Sequence, residues 1–146
     1  MYYHMLSYKI ITRIVLYRIG IENSPFCSRC KECRETIEHK FWHCKEVNDF
    51  WKSIVDLVND LNVFQGMVSL TCDKVILGSS VSIVENRVID VGKGMIARKV
   101  KLSVNLFINK LKIELSNERC IAQRNGLLER FKEIWGPLET TLARGQ

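Results

Sequence analysis

The chain has 146 residues, of which 47% are hydrophobic and 26% charged. This balance is that of a globular protein, so the composition excludes the disordered, collagen-like and low-complexity classes. The length fits one domain, or a small module followed by a helical region. Lys9, Arg13 and Arg18 interrupt the most hydrophobic stretch, so no run approaches the ~20 apolar residues that a bilayer crossing needs, and no membrane association is expected.

The formal net charge is +6, and the excess lies in two segments. Residues 1–44 hold seven Lys or Arg against four acids, and residues 93–112 hold six against none. This distribution favours a surface that faces a polyanion, although a solvated helix face gives the same pattern. The N-terminus lacks the pattern of a secretory signal, so we expect a reducing intracellular compartment, nuclear or cytoplasmic.

The N-terminal half predicts two helices around a connector. Residues 2–19 have helical apolar spacing that should end at Gly20. After a connector over residues 21–31, a second helix is predicted from Glu35, with Thr36 as its cap, through His39 and Cys44 to about residue 63. Its predicted inner stripe comprises Val47, Phe50, Trp51, Ile54, Leu57, Val58 and Leu61.

The C-terminal half predicts a loop and then a helix hairpin. Residues 64–84 are interrupted by glycine and serine and predict a loop with one short strand or turn. Helical periodicity returns from 84 to 115 with a break near Gly92 and Gly94, and Ser116 is predicted to cap a last helix that ends at Gly136 and Pro137. The predicted inward residues are Ile96, Val100, Val104, Phe107, Ile108, Leu111, Leu115, Ile121, Leu128, Phe131, Ile134 and Trp135.

Four residues have the spacing of a zinc site: Cys27-x2-Cys30-x8-His39-x4-Cys44. Three thiolates and one imidazole suit tetrahedral Zn²⁺, and a set with four protein ligands leaves no position for a reactive water. A redox C-x-x-C pair is disfavoured because nothing predicts the βαβ unit that such pairs accompany.

Other ligand sets stay open from spacing alone, because Cys33 follows Cys30 and His43 follows His39 closely enough to replace a ligand. Cys72 and Cys120 are isolated and are expected to be buried small apolar side chains. The sequence therefore predicts a mostly α fold with a small CCHC zinc-knuckle-like module inserted between helices and a helical C-terminal region. The predicted division is 1–64 for the N-terminal helix, zinc module and following helix, 65–92 for a loop-rich connector, and 93–146 for a basic helical hairpin.

The stretch from Cys27 to Trp51, CSRCKECRETIEHKFWHCKEVNDFW, resembles the zinc-binding module at the C-terminal end of non-LTR (LINE-type) retrotransposon reverse transcriptases. The likeness includes the cysteine pair, Glu35-Thr36-Ile37 before the histidine, the aromatic Phe41 and the Phe50-Trp51 pair. Residues 8–21 and 121–135 are similar to such proteins less strictly.

The resemblance implies that Cys27, Cys30, His39 and Cys44 are the ligands. It also implies contact with RNA or DNA and no enzymatic activity, because the polymerase of this family needs an Asp-Asp pair and this sequence has no adjacent aspartates. The chain would then be a detached fragment or a decayed or co-opted copy.

Nucleic-acid binding is accordingly the first functional hypothesis, through basic residues around the zinc site and in the basic segment. The alternative is a structural or protein-interaction module in which zinc only orients helices and the apolar N-terminal helix binds a partner or a second copy. The candidate nucleic-acid-binding residues are Arg29, Lys31, Arg34, Lys40, Lys93, Arg98, Lys99 and Lys101.

Overall fold

The computed structural model describes residues 12–61, 68–78, 83–98 and 100–144. Within these ranges the fold is helical and contains no strand, only one isolated bridge, so the predicted mostly α class is confirmed. The helices are α1 (Arg13–Arg18), a π-helical turn (His39–His43), α2 (Lys45–Asp60), α3 (Cys72–Leu77), α4 (Ile83–Ala97), α5 (Val104–Arg124) and α6 (Leu128–Arg144).

The first predicted helix is described only from Thr12 onward, since its start lies outside the described residues. α1 ends before Gly20, which has a φ of +82° and so stops the helix as predicted. The carboxylate of buried Glu35 accepts a hydrogen bond of 2.9 Å from the N–H of Arg13. This bond attaches the start of α1 to the loop that carries the cysteines.

The helix predicted to run unbroken from Glu35 to about residue 63 is wrong at Cys44, whose ψ of 132° is extended. The chain instead forms the π-helical turn and then starts α2. Thr36 does act as a cap, because its Oγ1 accepts a hydrogen bond of 3.0 Å from the N–H of His39. The predicted inner stripe of α2 is confirmed, with five of its residues buried and Leu57 and Leu61 packed against the core.

The short strand or turn expected within residues 64–84 is a helix instead. α3 is capped by Thr71, whose side chain accepts a hydrogen bond from the N–H of Lys74, and it ends at Gly78, which has a φ of +90°. Val75 is fully buried against the core. Burial on one side therefore outweighs the strand preference of the β-branched pair Val75-Ile76.

α4 runs without interruption through Gly92 and Gly94, so the break predicted there is wrong. Gly92 allows a close approach: a Cβ at this position would lie 2.4 Å from the indole ring of Trp51. The helix ends instead at Ala97, five residues after Gly92. Gly92 therefore serves packing between α4 and α2, not a bend.

The predicted hairpin exists, but its turn and its end lie elsewhere. Ser116 is inside α5, and the turn is formed at Asn125 and Gly126, where Gly126 has a φ of +72°. α6 continues through Pro137 to Arg144, so the predicted end at Gly136 and Pro137 is wrong. The reason is burial, since Leu138 and Leu142 extend the apolar stripe past the proline.

One hydrophobic core collects side chains from all three predicted segments, for example Trp51, Val88 and Phe107. The division of the chain at residues 64 and 92 stays a prediction. Ile121 was predicted to face inward and Cys120 to be buried, and both predictions are wrong because these side chains are exposed. Cys72, also predicted to be buried, is only partly buried. Of the helices in the described ranges, none is both long and apolar enough to cross a membrane.

Candidate metal centre

The metal centre is built from a tight loop and a helical turn. Cys27 and Cys30 lie in the loop, and His39 and Cys44 lie at the two ends of the π-helical turn. Their ligand atoms all lie within 4.8 Å of one another, and Cys27, His39 and Cys44 are buried. The structure thus brings together the four residues predicted from spacing.

The loop around the first two cysteines directs backbone N–H groups at sulfur. The N–H of Arg29 donates to Cys27 Sγ at 3.4 Å, and the N–H of Cys30 also bonds that sulfur. Cys30 receives the N–H groups of Glu32 and Cys33 in the same way. Donors of this kind stabilise a thiolate, which is the form that binds a metal.

Lys31 adopts a φ of +60°, the left-handed conformation that lets the loop turn back on itself. A short antiparallel pairing then closes the loop: the N–H of Cys27 donates to the carbonyl of Cys33 at 2.7 Å, and the N–H of Glu35 donates to that of Pro25 at 2.9 Å. The two sulfurs of the loop are therefore held by backbone geometry.

The π-helical turn explains the spacing of the other two residues. In an α-helix, side chains five positions apart point about 140° away from each other, because each residue rotates by about 100°. The wider turn, closed by the hydrogen bond of 2.9 Å from Cys44 N–H to the His39 carbonyl, brings them to the same side. The unbroken helix expected from sequence would have separated these two side chains.

Two distances between donor atoms test whether a tetrahedral ion fits the site. Zn–S and Zn–N bonds of about 2.3 and 2.0 Å give tetrahedral edges of about 3.8 Å between sulfurs and about 3.5 Å between sulfur and nitrogen. Cys27 Sγ and Cys44 Sγ lie 3.9 Å apart, and Cys30 Sγ and His39 Nε2 lie 3.3 Å apart. These pairs are opposite edges of one tetrahedron, so the donors fit zinc in both chemistry and spacing.

The protonation of the site is set mainly by burial. Desolvation raises the pKa of Cys27 to about 11 despite its backbone hydrogen bonds. Burial also lowers the pKa of His39, which favours the neutral imidazole that a metal requires. Burial opposes ionisation of Cys30 as well, but its backbone donors lower the pKa of that thiol below the usual value.

The alternative ligands Cys33 and His43 are exposed and are not part of the cluster found among the described residues. The backbone carbonyl of Cys33 accepts the hydrogen bond that closes the loop, and this role does not involve the Cys33 thiol. His43 occupies the last position of the π-helical turn, where it faces solvent.

The predicted nucleic-acid-binding residues differ in how far they are exposed to solvent. Lys31, Arg34, Arg98 and Lys101 are exposed, and Lys99 lies outside the described residues. Lys40 is partly buried, with its Nζ 5.8 Å from the centre of the Phe41 ring. Arg29 and Lys93 contact the protein interior instead.

Arg29 joins the cysteine loop to α4. Its Nη1 donates to the carbonyl of Val100 and its Nη2 to that of Ile96, both at 3.2 Å. A cation at this end of a helix interacts favourably with carbonyls that lack helical partners. Its guanidinium therefore has a structural role that the sequence pattern did not reveal.

Lys93 is buried between the π-helical turn and α3. Its Nζ lies 5.4 Å from the centre of the Phe41 ring and 3.5 Å from the carbonyl of Ile76. Desolvation lowers its pKa to about 8, although Asp90 opposes the shift. At this position its ammonium cannot meet a phosphate, so the structure does not support Lys93 as a nucleic-acid contact.

Comparison with known proteins agrees with this geometry. No curated protein and no solved structure gives a significant match to the chain. Residues 1–51, which include the whole cluster, match the family model described as zinc-binding in reverse transcriptase. The N-terminal third of the chain therefore matches the zinc-binding modules of reverse transcriptases, which confirms the resemblance at that level. The LINE-type origin stays a prediction.

Proposed function

We propose that the chain is a zinc-stabilised, non-catalytic module that binds RNA or DNA, related to the C-terminal zinc modules of LINE-type reverse transcriptases. Zn²⁺ is held by Cys27, Cys30, His39 and Cys44. Four protein ligands complete a tetrahedron, so the metal stabilises the fold and activates no water. A reducing compartment, nuclear or cytoplasmic, keeps these thiols available for the metal.

The observation that carries the proposal is the position of Arg29. Its bonds to Ile96 and Val100 place the cysteine loop beside the end of α4. The exposed cations of the loop, Lys31 and Arg34, are thereby brought toward the exposed cations at the end of α4, Arg98 and Lys101. We infer that these two basic segments, far apart in sequence, border one surface, which is the arrangement that a polyanion binds.

Acidic residues limit this region on one side. Arg87 pairs with Glu114 and Glu118 of α5. The groove between α4 and α5, which Arg98 borders, is lined by Arg87, Lys110, Asp90 and Glu114. Charges of both signs alternate there, so the groove offers little net attraction for phosphates. The proposed basic region therefore comprises the cysteine loop, Arg98 and Lys101.

A salt titration tests the proposal. If four phosphates are neutralised, log K for a labelled RNA or DNA strand should fall with log[salt] at a slope between about −3 and −4. Changing Lys31→Gln together with Arg34→Gln should reduce that slope by about 1 to 2, whereas Arg130→Gln on α6 should leave it unchanged. Affinity that does not depend on salt, or equal losses in the two variants, would contradict nucleic-acid binding by this surface.

A second candidate is a protein-interaction module. It is favoured by exposed apolar side chains after α1, where Ile19 is 62% and Ile21 68% exposed. The N-terminal helix would then bind a protein partner or a second copy of the chain. A mass above that of the monomer in light scattering, lost on changing Ile19→Ser and Ile21→Ser, would favour this function over the first.

A further inference from the structure

Phe26 is an aromatic side chain that the protein interior does not use. It directly precedes Cys27, which is 2% exposed, yet the Phe26 side chain is 45% exposed. Aromatic side chains are usually covered because their burial is strongly stabilising. An exposed ring on the loop that carries two metal ligands is therefore a candidate contact for a ligand.

The backbone places Arg34 beside this ring. Phe26 and Arg34 form an antiparallel bridge, and the hydrogen bonds that define it come from the flanking residues, Cys27 to Cys33 and Glu35 to Pro25. Phe26 and Arg34 are thus a non-hydrogen-bonded pair, the kind in which facing side chains lie closest and share one face.

The pattern of burial agrees with this geometry. Cys27 and Glu35, the next residue on each side of the bridge, are buried, whereas Phe26 and Arg34 are both exposed. Successive side chains of an extended pairing point to opposite faces. The metal and the core therefore take one face of the pairing, and the aromatic ring and the guanidinium occupy the other.

The pairing also fixes the backbone of Phe26 before any ligand arrives. The two flanking hydrogen bonds are short, at 2.7 and 2.9 Å, and the N–H of Phe26 bonds Ser24 Oγ at 3.2 Å. The exposed Lys31 lies in the same loop. A planar apolar surface beside the cation of Arg34 matches a nucleotide, which combines an aromatic base with an anionic phosphate.

We propose that Phe26 stacks on one unpaired base while Arg34 binds an adjacent phosphate, so that the module prefers single-stranded nucleic acid to duplex. The inference rests on the proposed function and specifies its ligand. Bases inside a duplex are stacked on one another and expose no face to a side chain, whereas an unpaired base does. A duplex would therefore bind only the basic side chains and would not contact the Phe26 ring.

The test measures the affinity of the zinc-loaded protein for fluorescently labelled strands of about 12 nucleotides, a length that spans a typical single-strand site. The probes are a mixed-sequence RNA strand, the DNA strand of the same sequence, the duplex of each, and a DNA strand of equal length with abasic positions. The variants are Phe26→Ala, Phe26→Trp as the conservative change, and Ile121→Ala as a control that removes another exposed apolar side chain far along the chain. Zinc content is measured for each variant, so that loss of the metal site is recognised.

Phe26→Ala should weaken single-strand binding roughly 5- to 150-fold, the effect of losing one stacked base. Binding of the duplex and of the abasic strand should change less than about twofold, and Phe26→Trp should restore the affinity for the single strand. Strong salt-dependent binding that Phe26→Ala leaves intact would overturn the stacking site but keep the proposed function. No salt-dependent binding to any probe would overturn both.

Discussion

The cysteine loop and the hairpin of α5 and α6 are held together by different means. The loop has one backbone pairing of two short hydrogen bonds and two of the four metal donors, and the π-helical turn supplies the other two. Cys27 of the loop and Phe41 and Cys44 at the turn are buried in the core. The hairpin is held by apolar stripes on both helices, which contribute Leu111 and Leu115 from α5 and Trp135, Leu138 and Leu142 from α6 to the core. The stability of the loop therefore depends on an ion with strict coordination geometry. The stability of the hairpin depends on buried apolar surface, which many different sequences can provide.

Removing zinc should give the largest difference between the two regions. Zinc sites in peptides contribute roughly 10 to 16 kcal/mol, which is comparable to the whole stability of a domain. Chelation under reducing conditions should expose the amides of residues 25–44 to hydrogen exchange first and those of α5 and α6 last. The variant Cys120→Ser, which removes an exposed thiol of the hairpin, should bind zinc and exchange like the original protein.

Arg29 joins the cysteine loop to the C-terminal end of α4 and the segment after it, so its removal should weaken that contact. Arg29→Met loses two charge-assisted hydrogen bonds, one to the carbonyl of Ile96 in α4 and one to that of Val100 beyond it, and we expect the free energy of unfolding to fall by about 1.5 to 3 kcal/mol. Urea denaturation at equal zinc loading measures this. The exposed Arg34, changed to Met, should alter stability by less than about 0.5 kcal/mol, and equal losses in the two variants would contradict the role given to Arg29.

Two glycines of α4 provide a matched pair. Gly92→Ala places a Cβ against the buried indole of Trp51, whose Nε1 is fixed by a hydrogen bond of 2.7 Å to the Phe41 carbonyl, so stability should fall by about 1 to 3 kcal/mol. Gly94→Ala meets nothing within 4 Å and should stabilise the helix by about 0.5 to 1 kcal/mol. Thermal unfolding of both variants decides whether contact with Trp51 explains the glycine at position 92.

Burial of Lys93 predicts a small pH dependence of the free energy of unfolding. Its pKa falls from 10.5 to about 8 on folding, so the unfolded chain binds this proton more tightly and stability should rise as the pH increases from 8 to 10.5. The rise, on the order of 1 kcal/mol, should be absent in Lys93→Met. Subtracting the unfolding free energies of the two proteins at each pH removes the contribution of the thiols, and parallel curves would show that Lys93 is not buried as described.

The sequence predicted the metal cluster better than the helices around it. Ligand chemistry restricts residue type and spacing strongly enough that a metal cluster between Cys27 and Cys44 was predicted without knowledge of secondary structure. Spacing alone left Cys33 and His43 as alternatives, and only the family resemblance selected the set. The π-helical turn was missed because its single extra residue leaves no signature in apolar periodicity.

Helix boundaries were predicted less well, for reasons that are physical. Ser116 and Pro137 are ordinary signals for a helix start and stop, but burial of Leu115 on one side and of Leu138 on the other outweighs them. Gly92 resembles a helix breaker until its contact with Trp51 is known. The exposed Phe26 and the internal bonds of Arg29 depend on tertiary placement, which one sequence does not reveal.

X-ray absorption at the zinc edge, recorded on protein purified under reducing conditions, tests the central claim most directly. The account predicts one zinc per chain, with three sulfur neighbours at about 2.3 Å and one nitrogen at about 2.0 Å. Protein without stoichiometric zinc, or a metal with oxygen in its coordination shell, would contradict it.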